Sequence, residues 1–171
     1  MTSKILIFPG ISISEKDFDD GTVLFHYDKL IASFQWDTGV AISTYLQALK
    51  QGIILGSNCS HCRKVVVPPR IVCESCFKPM QGYIPLQDSG VVNTFSVCYV
   101  TWDVKRIKEP ELPAVIDIDG ASPLCGIMHK LGEVNPDEIY IGMKVKAVWK
   151  PAELRTGAIT DILYFKPVKE A

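Results

Sequence analysis

No apolar run in this 171-residue chain approaches the roughly 20 residues that a membrane-spanning helix needs. The one compact apolar stretch near the start, Ile5-Leu6-Ile7-Phe8, ends at Pro9 and is too short for the apolar region of a signal peptide. It reads as a short strand or docking arm, and the chain is expected in the cytoplasm with no membrane association. Phosphate loops, GxSxG elbows and HExxH helices are all missing, which excludes the nucleotide, esterase and metalloprotease chemistries those motifs carry. Positive charge is also scarce: 18 basic against 19 acidic side chains give a formal charge of -1. Nucleic-acid binding normally needs a basic face that releases counterions, so no nucleic-acid partner is expected.

Cysteine, by contrast, is abundant and ordered. Cys59-Ser60-His61-Cys62 and Cys73-Glu74-Ser75-Cys76 form two CxxC knuckles separated by ten residues. Each knuckle aims two sulfurs at one ion, and the intervening chain is long enough to bring the second back to face the first. Zinc fits such a set best; iron fits the same sulfurs, and disulfide pairing is the competing reading in an oxidising compartment. Four cysteines close a tetrahedral shell, so the metal is read as structural, and His61 as a knuckle-tip residue outside it. Residues 53–82 contain few apolar side chains, so metal binding is expected to supply most of the ribbon's folding free energy, on the order of 10 kcal/mol.

The ribbon is also the one basic stretch, with four basic side chains to one acidic, whereas residues 1–52 and 83–171 are each acidic by two. Arg63, Lys64, Arg70 and Lys78 either offset the thiolate charge or receive a phosphate of a nucleotide-like ligand. Before the ribbon, Ile42, Tyr45, Leu46 and Leu49 recur at helical spacing, with Asp37 or Thr38 as cap and Gly52 past the end, which predicts an amphipathic helix over 38–51. Residues 9–35 show no clear period, and residues 1–35 are treated as an N-terminal arm.

After the ribbon the pattern turns to β-rich runs at 90–101, 114–118, 124–131, 144–150 and 159–166. Asn135-Pro136-Asp137-Glu138 marks a capped helical turn between the third and fourth, which is the plan of the OB-fold. The charged stretch 103–113 reads as a loop between strands one and two. Cys98 and Cys125 read as small core thiols, and no Cys/His pairing is evident, although His129 stands four residues beyond Cys125. No catalytic residue is assigned. Trp36, Trp102 and Trp149 read as packing residues before base-stacking ones. The fold class is therefore mainly β with an N-terminal helical segment: arm 1–35, helix 36–52, zinc ribbon 53–82 and five-stranded OB-fold barrel 83–171.

Taken together, the helix leading into Leu55-Gly56-Ser57-Asn58-Cys59, the Val67-Pro68-Pro69-Arg70 segment between the knuckles, the strand opening at Ser89-Gly90 and the run Ile141-Gly142-Met143-Lys144-Val145 resemble a known family over about residues 36–166. It is that of the rubredoxin-like zinc-ribbon/OB-fold proteins long known as a domain of unknown function. The resemblance implies a small subunit without catalytic residues of its own, accompanying a thiolase-like partner that makes or cleaves a carbon–carbon bond in acyl-CoA substrates. It implies a hetero-oligomer, with Cys59, Cys62, Cys73 and Cys76 on the metal and with Arg63, Lys64 and Arg70 as candidates for coenzyme A phosphates. The alternatives are an independent acyl-CoA-binding regulator and a single-stranded nucleic-acid-binding OB-fold. The arm before residue 36 is expected to be buried at a protein interface.

Overall fold

The computed structural model describes residues 10, 12–26, 33–35 and 37–168. The chain divides into two units, 1–36 and 37–171. The apolar arm Ile5–Phe8 and Trp36 lie outside the described residues.

In the first unit a short helix α1 (Glu15–Asp19) occupies a region in which the sequence shows no period. Its start is locally encoded: the Ser14 N–H and hydroxyl both donate to the Asp17 carboxylate at 2.7 Å, while the Asp17 N–H donates to the Ser14 carbonyl at 3.1 Å. Phe18 and Phe25 meet edge to face at 5.3 Å.

The second unit opens with helix α2 (Gly39–Lys50), close to its expected span. Asp37 receives the Gly39 N–H at 3.0 Å, and Gly52 ends the helix in a left-handed conformation, φ 80°, with its N–H on Leu49. The deepest face is Ala41, Tyr45, Ala48 and Leu49, rotated from the expected Ile42/Leu46 stripe. The helix packs against the strand that follows it. That strand, β1 (Ile54–Asn58), pairs antiparallel with β2 (Val65–Val66) on one side and β3 (Gly82–Leu86) on the other.

Five of the remaining strands form the barrel: β4 (Ser89–Phe95), β7 (Pro113–Ile118), β8 (Gly126–Lys130), β9 (Lys144–Trp149) and β10 (Ile162–Pro167), in the order β10-β9-β4-β7-β8. A parallel bridge between Leu131 and Phe165 closes β8 onto β10. Alternation drives the sheet: in β7 Ala114, Ile116 and Ile118 point inward while Val115 and Asp117 do not. Asn135 caps a single 3-10 turn, Pro136–Glu138, between β8 and β9. This is the expected OB-fold plan behind a zinc ribbon.

Three strand limits differ from those expected. The first run breaks at Ser96-Val97, so its second half, β5 (Cys98–Val100), leaves the barrel. The stretch read as a loop is β6 (Arg106–Glu111), paired with β5 in a separate two-stranded hairpin. Because β6 is wet on most of its positions it carries no apolar alternation, and Pro110 is tolerated there as it is on an edge strand. The last strand starts at Ile162, since Ile159–Asp161 forms a 3-10 turn, and the third starts at Gly126.

One apolar cluster runs through helix, ribbon and barrel. Leu49, Ile54, Val66 and Val67 belong to the same core as Val92, Ile116, Val145, Ile162 and Phe165. The ribbon is therefore less dependent on metal than its composition implies, because β1 and β2 bury their side chains against the barrel. Ser122 fastens the seam, its hydroxyl accepting from the Val65 N–H and its own N–H donating to the Val65 carbonyl, both at 2.9 Å.

Candidate metal centre

The two knuckles are built alike. Cys59 follows β1 directly and donates its N–H to the Lys64 carbonyl at 2.8 Å; Cys73 donates to the Lys78 carbonyl at 2.9 Å. The residue after the second cysteine of each knuckle, Arg63 or Phe77, is left-handed, with φ near 58° and 57°. This folds each CxxC segment so that its sulfurs converge. All four Sγ atoms lie within 4.8 Å of one another, with Cys59 and Cys76 at 3.5 Å and Cys62 and Cys73 at 3.4 Å. Zn–S bonds of about 2.3 Å set the sulfurs of a tetrahedron roughly 3.8 Å apart, so the cage fits such an ion. The separations are far too long for S–S bonds, and all six cysteines are free.

Electrostatics in the cage are those of four acids competing for one place. The backbone N–H groups of Cys76 and Ser75 pull the Cys73 thiol down to about 6, and the Cys62 N–H lowers Cys59. The Lys78 N–H favours the Cys76 thiolate too, but burial and the neighbouring sulfurs outweigh it and push that thiol up to about 12. A divalent cation supplies the missing charge and lets all four ionise. With four thiolates bound, no coordination position is left for water or substrate.

The other residues singled out from sequence are placed as follows. His61 is exposed at its knuckle and is outside the sulfur cluster. Lys64 ties the knuckles together, Nζ to the Ser75 hydroxyl at 2.6 Å, and Arg70 is hydrogen-bonded to Glu74. Arg70 lines two cavities, of about 150 and 280 Å³, and neither is lined by Arg63 or Lys64, so these cavities do not bring the three coenzyme A candidates together. Pro69 is fully buried, and the Arg70 N–H donates to the buried Ser57 hydroxyl at 3.0 Å, so Pro68-Pro69-Arg70 packs the ribbon onto β1. Cys125 precedes β8 and is buried, which raises its thiol; Cys98 sits half-buried on β5. His129 faces the Ile159 carbonyl at 3.3 Å and stacks edge-on against Phe165, so its observed partners are not the cysteine four residues before it. Arg155 lies over the half-buried Trp149 ring at 5.4 Å, as a packing residue should. Trp102, by contrast, is 96% exposed at the turn between β5 and β6, contrary to the packing role read from sequence.

Sequence reading missed Asp161, the one fully buried carboxylate among the described residues. Burial works to raise it. The N–H groups of Thr156, Ala158 and Gly157, at 3.0, 3.1 and 2.7 Å, together with Lys150 at 3.9 Å, outweigh that and hold it below the usual carboxylate range.

Both halves of the fold match family models. The rubredoxin-like zinc ribbon domain of the ChsH2 proteins matches residues 46–79, and the ChsH2 C-terminal OB-fold domain matches 83–150. The chain belongs to this zinc-ribbon/OB-fold family. Among its relatives is a DUF35 domain-containing scaffold protein of Methanocaldococcus jannaschii, 29% identical over 119 residues that cover 68% of this chain and 82% of the relative. Two solved structures share the fold. One is a DUF35-family protein of unknown function from Sulfolobus solfataricus, with TM-score 0.59, 22% identity, and 77% of this chain and 87% of that one covered. The other is the Ltp2-ChsH2(DUF35) aldolase, with TM-score 0.57, 20% identity, and 78% of this chain and 98% of that one covered. Among the described residues, no helix is long and apolar enough to cross a membrane.

Proposed function

We propose that this protein is the accessory subunit of a thiolase- or aldolase-type complex that makes or cleaves a carbon–carbon bond in acyl-CoA substrates. Membership of a family whose ribbon and barrel models are both those of ChsH2 carries the reading. The scaffold name of the Methanocaldococcus jannaschii relative and the aldolase whose structure contains a ChsH2 chain point the same way. In this reading Cys59, Cys62, Cys73 and Cys76 hold one zinc that cross-links the ribbon and takes no part in chemistry. The partner brings the nucleophile and the acid/base groups, and this chain brings docking surface.

Reconstitution tests it. The purified chain is expected to be inactive toward β-ketoacyl-CoA and to contain about one zinc by elemental analysis. A larger catalytic subunit should co-purify with it from its own cells, and acyl-CoA turnover should require both chains. Enzyme-like turnover by this chain alone would overturn the accessory role, and a folded chain free of metal would overturn the zinc.

A further inference from the structure

The β5–β6 hairpin has no packing reason for its tip. Trp102 is 96% exposed and Val104 82%, and Tyr99 and Val100 on β5 are about half exposed. Among the described residues the hairpin is a two-stranded sheet of its own, with no third strand on either edge, an arrangement that is marginal by itself in water. Val104 also holds φ +64°, a left-handed conformation that a β-branched residue rarely adopts and that glycine or asparagine would fill without strain. A strained, exposed valine beside an exposed tryptophan is a cost with no return among the described residues. Backbone outliers of this kind point to a use elsewhere.

The tip is nonetheless well ordered by its own hydrogen bonds. The Val104 N–H donates to the Thr101 carbonyl at 3.0 Å, and the Thr101 N–H to the Lys105 carbonyl at 2.9 Å. The Thr101 hydroxyl accepts from the Lys105 N–H at 3.2 Å and bonds to the Asp103 carboxylate, which pairs with the Lys105 ammonium at 2.6 Å. Thr101 is thus the positioning residue for the two apolar side chains. An element fixed in advance loses little entropy on binding, and a rigid tryptophan is a common anchor of protein interfaces.

Charge selects the occupant. Across the hairpin Lys105, Arg106 and Lys108 are balanced by Asp103, Glu109 and Glu111, so the apolar tip is rimmed by charges of both signs, the make-up of a protein interface with its apolar centre and polar rim. The complementary surface is an apolar cleft with a rim of mixed charge. We propose that the Trp102/Val104 tip inserts into such a cleft on the catalytic subunit. This rests on the accessory-subunit reading above. A bilayer is the poorer match, since the Asp103 carboxylate stands between the two apolar residues and Glu109 and Glu111 follow on β6.

The test uses the full-length, metal-loaded chain and the catalytic subunit that co-purifies with it. Trp102→Ala should weaken the complex about tenfold or more while leaving zinc content and thermal midpoint unchanged. Val104→Gly should also weaken it, yet leave the free chain as stable as before or raise its midpoint by about 2 °C, because the strain is relieved. A merely structural role would not give these opposite signs. Tryptophan emission should shift to the blue on complex formation with the wild type and shift less with Trp102→Phe. Absence of any catalytic subunit in the wild-type preparation would overturn the accessory reading and this inference with it. A wild-type complex that Trp102→Ala and Val104→Gly form with unchanged affinity would overturn the hairpin alone. Sedimentation with phosphatidylcholine/phosphatidylserine vesicles that depends on Trp102, with subunit affinity unaltered, would assign the tip to membranes and overturn the proposal.

Discussion

The metal knuckles and the barrel solve the same problem by opposite means. Around the sulfurs the side chains are turned outward: Ile71, Val72 and Phe77 are 64%, 43% and 79% exposed, and Cys59 and Cys73 are the buried members of the two knuckles. In the barrel Phe165, Ile116, Val92 and Val145 are wholly buried. Where too few apolar groups face inward, a cation and four thiolates do the work of a core. Between the two lies β1–β2, which carries the first knuckle yet packs Ile54 and Val66 into the barrel's cluster. The boundary between metal-held and core-held structure therefore runs through the ribbon, between the knuckles and their strands.

Removing the metal is the largest expected perturbation, because a structural zinc site contributes on the order of 10 kcal/mol of apparent binding free energy. Cys73→Ser should abolish metal binding and expose the amides of residues 59–64 and 73–78 to hydrogen exchange. Amides of β4, β7 and β9 should stay protected, since their cohesion is apolar; uniform loss of protection would show that the two regions are one unit. The converse change is Phe165→Ala, expected to cost about 4 kcal/mol through the cavity it leaves. Urea unfolding should register it, while the zinc content of the folded protein stays at the wild-type level. Metal loss in parallel with the barrel's destabilisation would contradict a knuckle that holds itself together.

How much of this is legible in the sequence follows from the range of the interactions. The knuckles are written in spacings of three residues, and α2 and β7 in apolar periods, so both could be read locally. Gly52 behaves as a helix terminator for the same reason: its conformation is set by the turn it closes. Features that depend on distant partners could not be read. The helix buries Ala41 and Ala48 beside Tyr45 and Leu49, and no local period distinguishes these alanines from solvent-facing ones. β6 lacks alternation because it has no layer to face, and its charges and proline imitate a loop. Trp102 carries the identity of a core residue but the position of a surface one.

Asp161 is a smaller and pH-dependent test, placed on the barrel's side of the comparison. Three turn N–H groups converge on its buried carboxylate, and Asp161→Asn keeps one acceptor oxygen while turning an amide NH₂ toward those donors. The expected cost is about 2 kcal/mol at neutral pH. Because the folded carboxyl is lowered, its contribution is present above the unfolded value near 3.8 and is lost as pH falls toward the folded one. Urea midpoints should therefore converge between wild type and Asp161→Asn in acid. A gap that is the same at pH 7 and pH 3 would mean that the charge is not what the turn holds.

Tyr45 gives the smallest effect and probes the seam itself. Its ring is 3% exposed in the shared core, and its hydroxyl finds no hydrogen-bond partner among the described residues. A buried polar group without a partner is a liability, so Tyr45→Phe should leave the packing intact and stabilise the protein by about 1 kcal/mol. Burial pushes the phenol up to about 12, above its ordinary 10.0. The neutral ring thus favours the fold below pH 10, and that contribution is lost as pH rises from the unfolded value through the folded one. Tyr45→Phe should remove this alkaline loss, so the stability gap between the two proteins should widen above pH 10. If Tyr45→Phe instead destabilises at every pH, the hydroxyl has a partner that joins helix to core, and the seam is polar where the structure makes it apolar.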